Sequence, residues 1–177
     1  MRPAVFLDRD GTITSGIKGY VNTPEELKLI PGVEDQLKRL IDLGYLLVVV
    51  TNQGGVAFGY LSLETAIEIN KELYRQLKDK GVSIDRIYLC PHSGSCSFRK
   101  PNPGMLYAAA ADLNIELSRS WMIGDMQSDY DAGDYAGCRS ILLDSSSLEA
   151  FTGAVVEIAR HGPVEEEDRE LNCVYSL

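Results

Sequence analysis

Five short, mostly apolar runs decide what this chain can fold into: AVFL at 4–7, YLLVVV at 45–50, RIYL at 86–89, WMI at 121–123 and SILL at 140–143. None alternates apolar with polar, so they suit strands covered on both faces. Helical patterns lie between them. Pro31-Gly32 opens one with Val33, Leu37, Leu40 and Ile41 on a face, and Gly44 closes it. Ser62 can cap a longer helix with a stripe of Ala66, Ile67, Leu73 and Leu77; Pro103 starts another that ends near Asn114; a short one runs up to Gly137. The alternation predicts an α/β fold, a three-layer, doubly wound and mostly parallel sheet. With 177 residues and no internal repeat or linker, a single domain over 1–177 is expected.

In such a sheet the ligand crevice lies beyond the carboxyl ends of the strands, and here those ends carry unusual residues. The first run stops at Asp8-Arg9-Asp10-Gly11, the second at Thr51-Asn52-Gln53-Gly54-Gly55, and the fourth at Gly124-Asp125 with Asp129 four residues on. The third leads through CPHSGSCSFRKP to Arg99 and Lys100. Taken singly, Asp-Gly and Asn-Gln-Gly-Gly read as turns and Gly-Asp as a helix cap. Together they put carboxylates, a hydroxyl, an amide and two cations at one crevice. Clustered acids need a compensating cation, and hard oxygen ligands beside a phosphate suit Mg²⁺. One carboxylate can accept a phosphoryl group while another, two residues on and on the same side of an extended chain, handles protons; Asp8 and Asp10 stand in that relation.

The net charge of −9 argues against nucleic acid or an anionic membrane as partner. No apolar run approaches a membrane span, and the first eight residues already reach an acid, so a cytoplasmic protein is expected. Four cysteines (Cys90, Cys96, Cys138, Cys173) then read as thiols or ligands, Cys138 as a small buried residue. The acidic stretch 165–168 reads as solvated surface, and 13–30 as a surface loop or a flap over the substrate.

VFLDRDGTI, VVVTNQGG, FRKPNPGM and MIGDMQSD, in this order, resemble the four motifs of the haloacid dehalogenase superfamily, over about residues 4–144. LDRDGTI, GYV, LLVVVTNQGGVAFG, CPH and RKPNPGM resemble more narrowly its D-glycero-D-manno-heptose 1,7-bisphosphate phosphatases, whose near relatives are histidinol-phosphate phosphatases. The resemblance implies a Rossmann-like haloacid dehalogenase fold without a large cap domain. It implies a Mg²⁺-dependent phosphatase with Asp8 as nucleophile, Asp10 as general acid and base, and Mg²⁺ held by Asp8, the Asp10 carbonyl and Asp125. Thr51 and Lys100 would steady the phosphoryl group, Asp129 would orient Lys100 or a metal water, and Lys18, Gly19, Tyr20, Asn52 and Arg99 would meet the rest of the substrate.

That substrate is expected to be a small sugar phosphate, foremost heptose 1,7-bisphosphate losing its 7-phosphate, and the protein a monomer. Histidinol phosphate is the enzymatic alternative, and a phospho-accepting signalling module the one from another class. Two positions depart from the pattern: Phe58 where relatives often have a basic residue, and Met126 where many have a lysine or arginine. The subfamily's zinc loop reads Cys-x-His, an insertion, then Cys-x-Cys before Arg-Lys-Pro. Here Cys90, His92 and Cys96 match, Phe98 fills the last ligand position, and three residues between His92 and Cys96 are few to wrap a tetrahedron. Because structural zinc takes four protein ligands, the expected state is a degenerate loop without tightly bound zinc, any fourth position falling to water, Ser93, Ser97 or a distant cysteine.

Overall fold

The computed structural model describes residues 1–15 and 20–162. Lys18, Gly19, the acidic stretch 165–168 and Cys173 lie outside them. The apolar runs form five strands: β1 (Ala4–Leu7), β2 (Leu46–Asn52), β3 (Arg86–Cys90), β4 (Trp121–Gly124) and β5 (Arg139–Leu142). All neighbours pair in parallel, in the order β3-β2-β1-β4-β5. β1 is central; Phe6, for instance, is registered between Val48 and Met122. The chain reverses direction across the sheet between β1 and β4, which opens a crevice above those two strands.

Successive residues of the buried strands point to opposite faces, and each face has its own core. Val5, Leu7, Leu47, Val49 and Ile123 pack against α1 (Val33–Asp42), α2 (Leu63–Asp79) and α5 (Leu148–His161). Ala4, Phe6, Val48, Val50 and Met122 pack against α3 (Gly104–Leu113) and α4 (Gln127–Ala136). This is the three-layer, doubly wound α/β arrangement. Among the described residues no helix is long and apolar enough to cross a membrane.

Ser62 caps α2, its hydroxyl accepting the Thr65 N–H at 3.1 Å. The buried stripe of that helix is Ala66, Ile69, Asn70, Leu73 and Leu77. Ile67 departs from the expected stripe and is 43% exposed, because one residue further along a helix is a rotation of about 100° away from the face held by Ala66. Helix α5 was not apparent in the sequence reading; Ser147 caps it through the Ala150 N–H at 3.2 Å. The described part of 13–30 is tied down rather than free: Ile13, Val21, Leu27 and Ile30 are buried, and Thr14 bridges both Asp10 and Leu29.

Candidate active site

The ends of β1, β2 and β4 converge on a crevice of about 160 Å³ whose lining includes Asp8, Asp10, Tyr20, Thr51, Lys100 and Met126. Its floor is organised by Lys100. Only 3% exposed, the ammonium donates to Asp8 Oδ1 at 2.5 Å, Asp129 Oδ1 at 2.7 Å and the Val50 carbonyl at 2.7 Å, which uses all three of its protons. Burial by itself lowers an ammonium pKa, but Asp8 and Asp129 outweigh it and the net shift is upward, so Lys100 stays charged. Its backbone is fixed as well. The Asn52 amide donates to the Lys100 carbonyl at 2.9 Å and accepts the Lys100 N–H at 3.1 Å, which joins the end of β2 to the loop after β3.

Burial pushes the Asp8 carboxyl up to about 7 against the lowering pull of Lys100, with Asp129 and then Asp10 adding to the rise. Asp125 is raised too, by burial first and Asp129 second. Oxygens of Asp8, Asp125 and Asp129 all lie within 4.8 Å of one another. Two glycines make that convergence possible. A Cβ at Gly11, which sits at φ 87°, would stand 2.2 Å from Asp125 Oδ2, and one at Gly124 would stand 2.2 Å from the Asp129 Cβ.

Asp125 Oδ1 is buried without a hydrogen-bond partner. An orphaned carboxylate oxygen facing other acids costs free energy unless a cation joins it, and a set of hard oxygens fits Mg²⁺. Asp129 differs from its neighbours: one oxygen pairs with Lys100 and the other accepts the Met126 N–H at 3.0 Å, so both are engaged in positioning.

Asp10 is held by a group that sequence reasoning missed. Arg9, wholly buried, donates from Nε to Asp10 Oδ1 at 2.9 Å and from a terminal nitrogen to Oδ2 at 2.7 Å, while its other terminal nitrogen donates to Asn70 at 2.8 Å. The Gln53 amide adds a bond to Asp10 Oδ2 at 2.9 Å and one to the Thr51 hydroxyl at 2.8 Å. A hydroxyl that accepts from Gln53 keeps its own proton for a ligand in the crevice. The one hint in the sequence was an arginine set between two acids at a strand end, where a solvated charge would be out of place.

Arg99 is half-buried beside the turn after β2. Its guanidinium donates to the His92 carbonyl at 3.0 Å and reaches 3.2 Å from where a Gly54 Cβ would lie. The loop before it brings its candidate ligands together despite the short span: Cys90 Sγ lies 3.8 Å from both Cys96 Sγ and His92 Nδ1, and Cys96 Sγ lies 3.4 Å from His92 Nδ1. Gly94, at φ 77°, allows the tight turn between them. N–H groups of Phe98 and Arg99 point at the Cys96 sulfur and hold its pKa down, whereas burial pushes Cys90 up. Among the described residues no fourth Cys, His, Asp or Glu joins the three.

A HAD-hydrolase-like family model matches residues 97–154, the stretch from the Lys100 loop through β4 to α5. The chain is 40% identical over 151 residues to a D-glycero-beta-D-manno-heptose-1,7-bisphosphate 7-phosphatase of Pasteurella multocida, covering 81% of this chain and 82% of that protein. It is 40% identical over 157 residues to a D-glycero-D-manno-heptose-1,7-bisphosphate 7-phosphatase of Thermosynechococcus vestitus, covering 81% and 80%. Among solved structures, the D,D-heptose 1,7-bisphosphate phosphatase of B. bronchiseptica, complexed with magnesium and phosphate, superposes with a TM-score of 0.75 at 30% identity, covering 93% of this chain and 89% of that one. Likeness at this level over most of both chains means that the protein belongs to the HAD-like phosphatases, in the family that includes the D-glycero-D-manno-heptose 1,7-bisphosphate 7-phosphatases.

Proposed function

We propose that this chain is a Mg²⁺-dependent phosphatase that removes the 7-phosphate of D-glycero-D-manno-heptose 1,7-bisphosphate through an aspartyl-phosphate at Asp8. The observation that carries the reading is the Asp8–Lys100–Asp129 triad beneath the crevice, with the orphaned oxygen of Asp125 beside it. The substrate comes from the names of the relatives at 40% identity.

Asp8, the Asp10 carbonyl and Asp125 would hold Mg²⁺. When bound, the ion supplies positive charge that favours the ionised form of Asp8 and neutralises a phosphoryl group. An Asp8 carboxylate oxygen attacks phosphorus, and the bond from phosphorus to the ester oxygen breaks. Asp10, held by Arg9 and Gln53, gives its proton to that leaving oxygen. Asp10 then takes a proton from water, whose oxygen attacks the phosphorus of the aspartyl-phosphate. Inorganic phosphate leaves and the Asp8 carboxylate is restored. Throughout, the Thr51 hydroxyl donates to an equatorial oxygen, while the Lys100 ammonium, its three protons held by Asp8, Asp129 and the Val50 carbonyl, supplies positive charge beside the phosphoryl group. The Cys90–His92–Cys96 loop serves as a scaffold that delivers Arg99 and Lys100.

The test is phosphate release with Mg²⁺ on both anomers of heptose 1,7-bisphosphate, fructose 1,6-bisphosphate, histidinol phosphate and p-nitrophenyl phosphate. One heptose anomer should lead the others in kcat/KM by about a hundredfold, close to 3 kcal/mol of discrimination. EDTA should abolish turnover, and Asp10→Asn should accumulate a phosphoryl adduct on Asp8 visible by mass spectrometry. A preference for histidinol phosphate removes the heptose assignment, and a wild-type adduct that persists for hours would favour the signalling module instead.

A further inference from the structure

A crevice of about 160 Å³ is too small for a whole sugar phosphate, since pockets that enclose entire small ligands run from about 300 Å³ upward. The phosphoryl group fills the charged floor, so the body of the ester must lie over the rim. One residue of the crevice lining, Tyr20, belongs to a run of three contacting aromatic rings. Tyr20 lines the crevice, its ring centroid 5.6 Å from that of Tyr60 with the planes at 42°, and Tyr60 is 5.9 Å from Phe58 at 39°. Phe58 is 56% exposed and Tyr60 65%, an arrangement that leaves apolar ring faces in water with nothing from the described residues laid over them.

The run is built rather than incidental. Gly55 lets the Tyr20 ring approach: a Cβ there would lie 3.1 Å from that ring and 2.6 Å from the buried Leu61. The loop carrying the other two rings is pinned by hydrogen bonds from the Phe58 N–H to the Gly54 carbonyl at 3.2 Å and from the Tyr60 N–H to the Gly55 carbonyl at 2.9 Å. Tilted rings present faces of negative potential, to which the positively polarised C–H edges of a sugar ring are attracted.

From this geometry we infer that Tyr60 and Phe58, continuing outward from Tyr20, form the subsite that seats the carbohydrate ring of the substrate and so set specificity for ring-bearing phosphate esters. The inference rests on the phosphatase reading and adds to it which residues choose the leaving group.

The test compares wild type, Tyr60→Ala, Phe58→Ala and the ring-preserving Tyr60→Phe on heptose 1,7-bisphosphate and on acetyl phosphate, which has a phosphoryl group and no ring. Each alanine variant should lose about five- to tenfold in kcat/KM on the heptose ester, mostly through KM, as expected for one aromatic contact. Acetyl phosphate turnover should change less than about twofold, and Tyr60→Phe should keep the heptose activity. Equal losses on both substrates, or no loss on the heptose ester, overturn the inference. Should wild type prefer another ring-bearing ester of the panel, the heptose assignment falls, but the same variants measured on that ester still decide the role of Tyr60 and Phe58 by the same two outcomes.

Discussion

The guanidinium of Arg9 grips both carboxylate oxygens of the adjacent Asp10, at 2.9 and 2.7 Å, from a position with no exposure to solvent. A fork of this kind fixes the plane of the carboxylate as well as its place, which a point charge does not. Arg9→Lys should therefore cost more than its conservative appearance suggests. Lysine cannot reach both Asp10 oxygens and Asn70 together, so kcat should fall by about one to two orders of magnitude while KM changes little. Removing donors from a buried network should also lower stability, by about 2–4 kcal/mol. Steady-state kinetics with urea denaturation separates the two effects, and an unchanged kcat in a folded variant would remove Arg9 from the catalytic assembly.

Asp129 is paired with Lys100 beneath the crevice. Both of its oxygens are engaged, one by the ammonium at 2.7 Å and the other by the Met126 N–H at 3.0 Å. Asp129→Asn keeps an acceptor for only one of the two contacts, turns an NH2 donor toward the other donor, and removes the charge that helps aim Lys100. A kcat loss of about tenfold with little change in the Mg²⁺ concentration required for half-maximal rate is the expected result. A large rise in that Mg²⁺ requirement would instead mean that Asp129 is itself a ligand.

How much of this was legible in the sequence follows from contact range. The strands were readable because a doubly covered strand is continuously apolar, and their ends carried Asp8, Thr51, Lys100 and Asp125 into one crevice. β2 runs two residues further than its apolar run because Thr51 and Asn52 still pair with Leu89 and Cys90 of β3. Helix α5 was readable in principle, with Phe151, Ala154, Val155 and Ile158 spaced as one helical face. What the sequence could not disclose was the Arg9–Asn70 bond across 61 residues, or the tilted contact of Tyr20 with Tyr60, because both depend on how separate segments are brought together.

The acids of the crevice make stability depend on pH in a direction opposite to that of a paired surface carboxylate. From its ordinary value of 3.8 up to about 7, folded Asp8 keeps a proton that the unfolded chain has released, so raising pH favours unfolding across that window. Asp125 is displaced the same way. Glu72, held at about 2 by Arg75, acts below the window. The whole shift corresponds to roughly 4 kcal/mol at most, and its part above pH 5, roughly 3 kcal/mol, to a Tm lower by on the order of 5–10 °C at pH 7.5 than at pH 5 when measured in EDTA. Asp8→Asn should flatten the profile, and Mg²⁺ at pH 7.5 should restore much of the loss in wild type. A flat wild-type profile in EDTA would contradict the assignment.

The cysteine loop has the geometry of an incomplete metal site. A tetrahedral zinc with ordinary bond lengths sets sulfurs about 3.8 Å apart and sulfur to nitrogen about 3.6 Å. Cys90, Cys96 and His92 stand at 3.8, 3.8 and 3.4 Å from one another, which is three corners of that figure. Phe98 occupies the position that would complete it in sequence, and its ring is 47% exposed, so its replacement should cost little packing. With three protein ligands and water, zinc should exchange freely: wild type should lose it to EDTA with less than a degree or two of change in Tm. Phe98→Cys supplies the fourth thiolate, and because metal binding free energy adds to folding free energy the variant should retain one zinc through the same wash and melt several degrees higher. Metal analysis by atomic emission alongside calorimetry decides the matter. A wild-type protein that keeps one zinc per chain against EDTA would show that three ligands and the N–H groups directed at Cys96 already suffice.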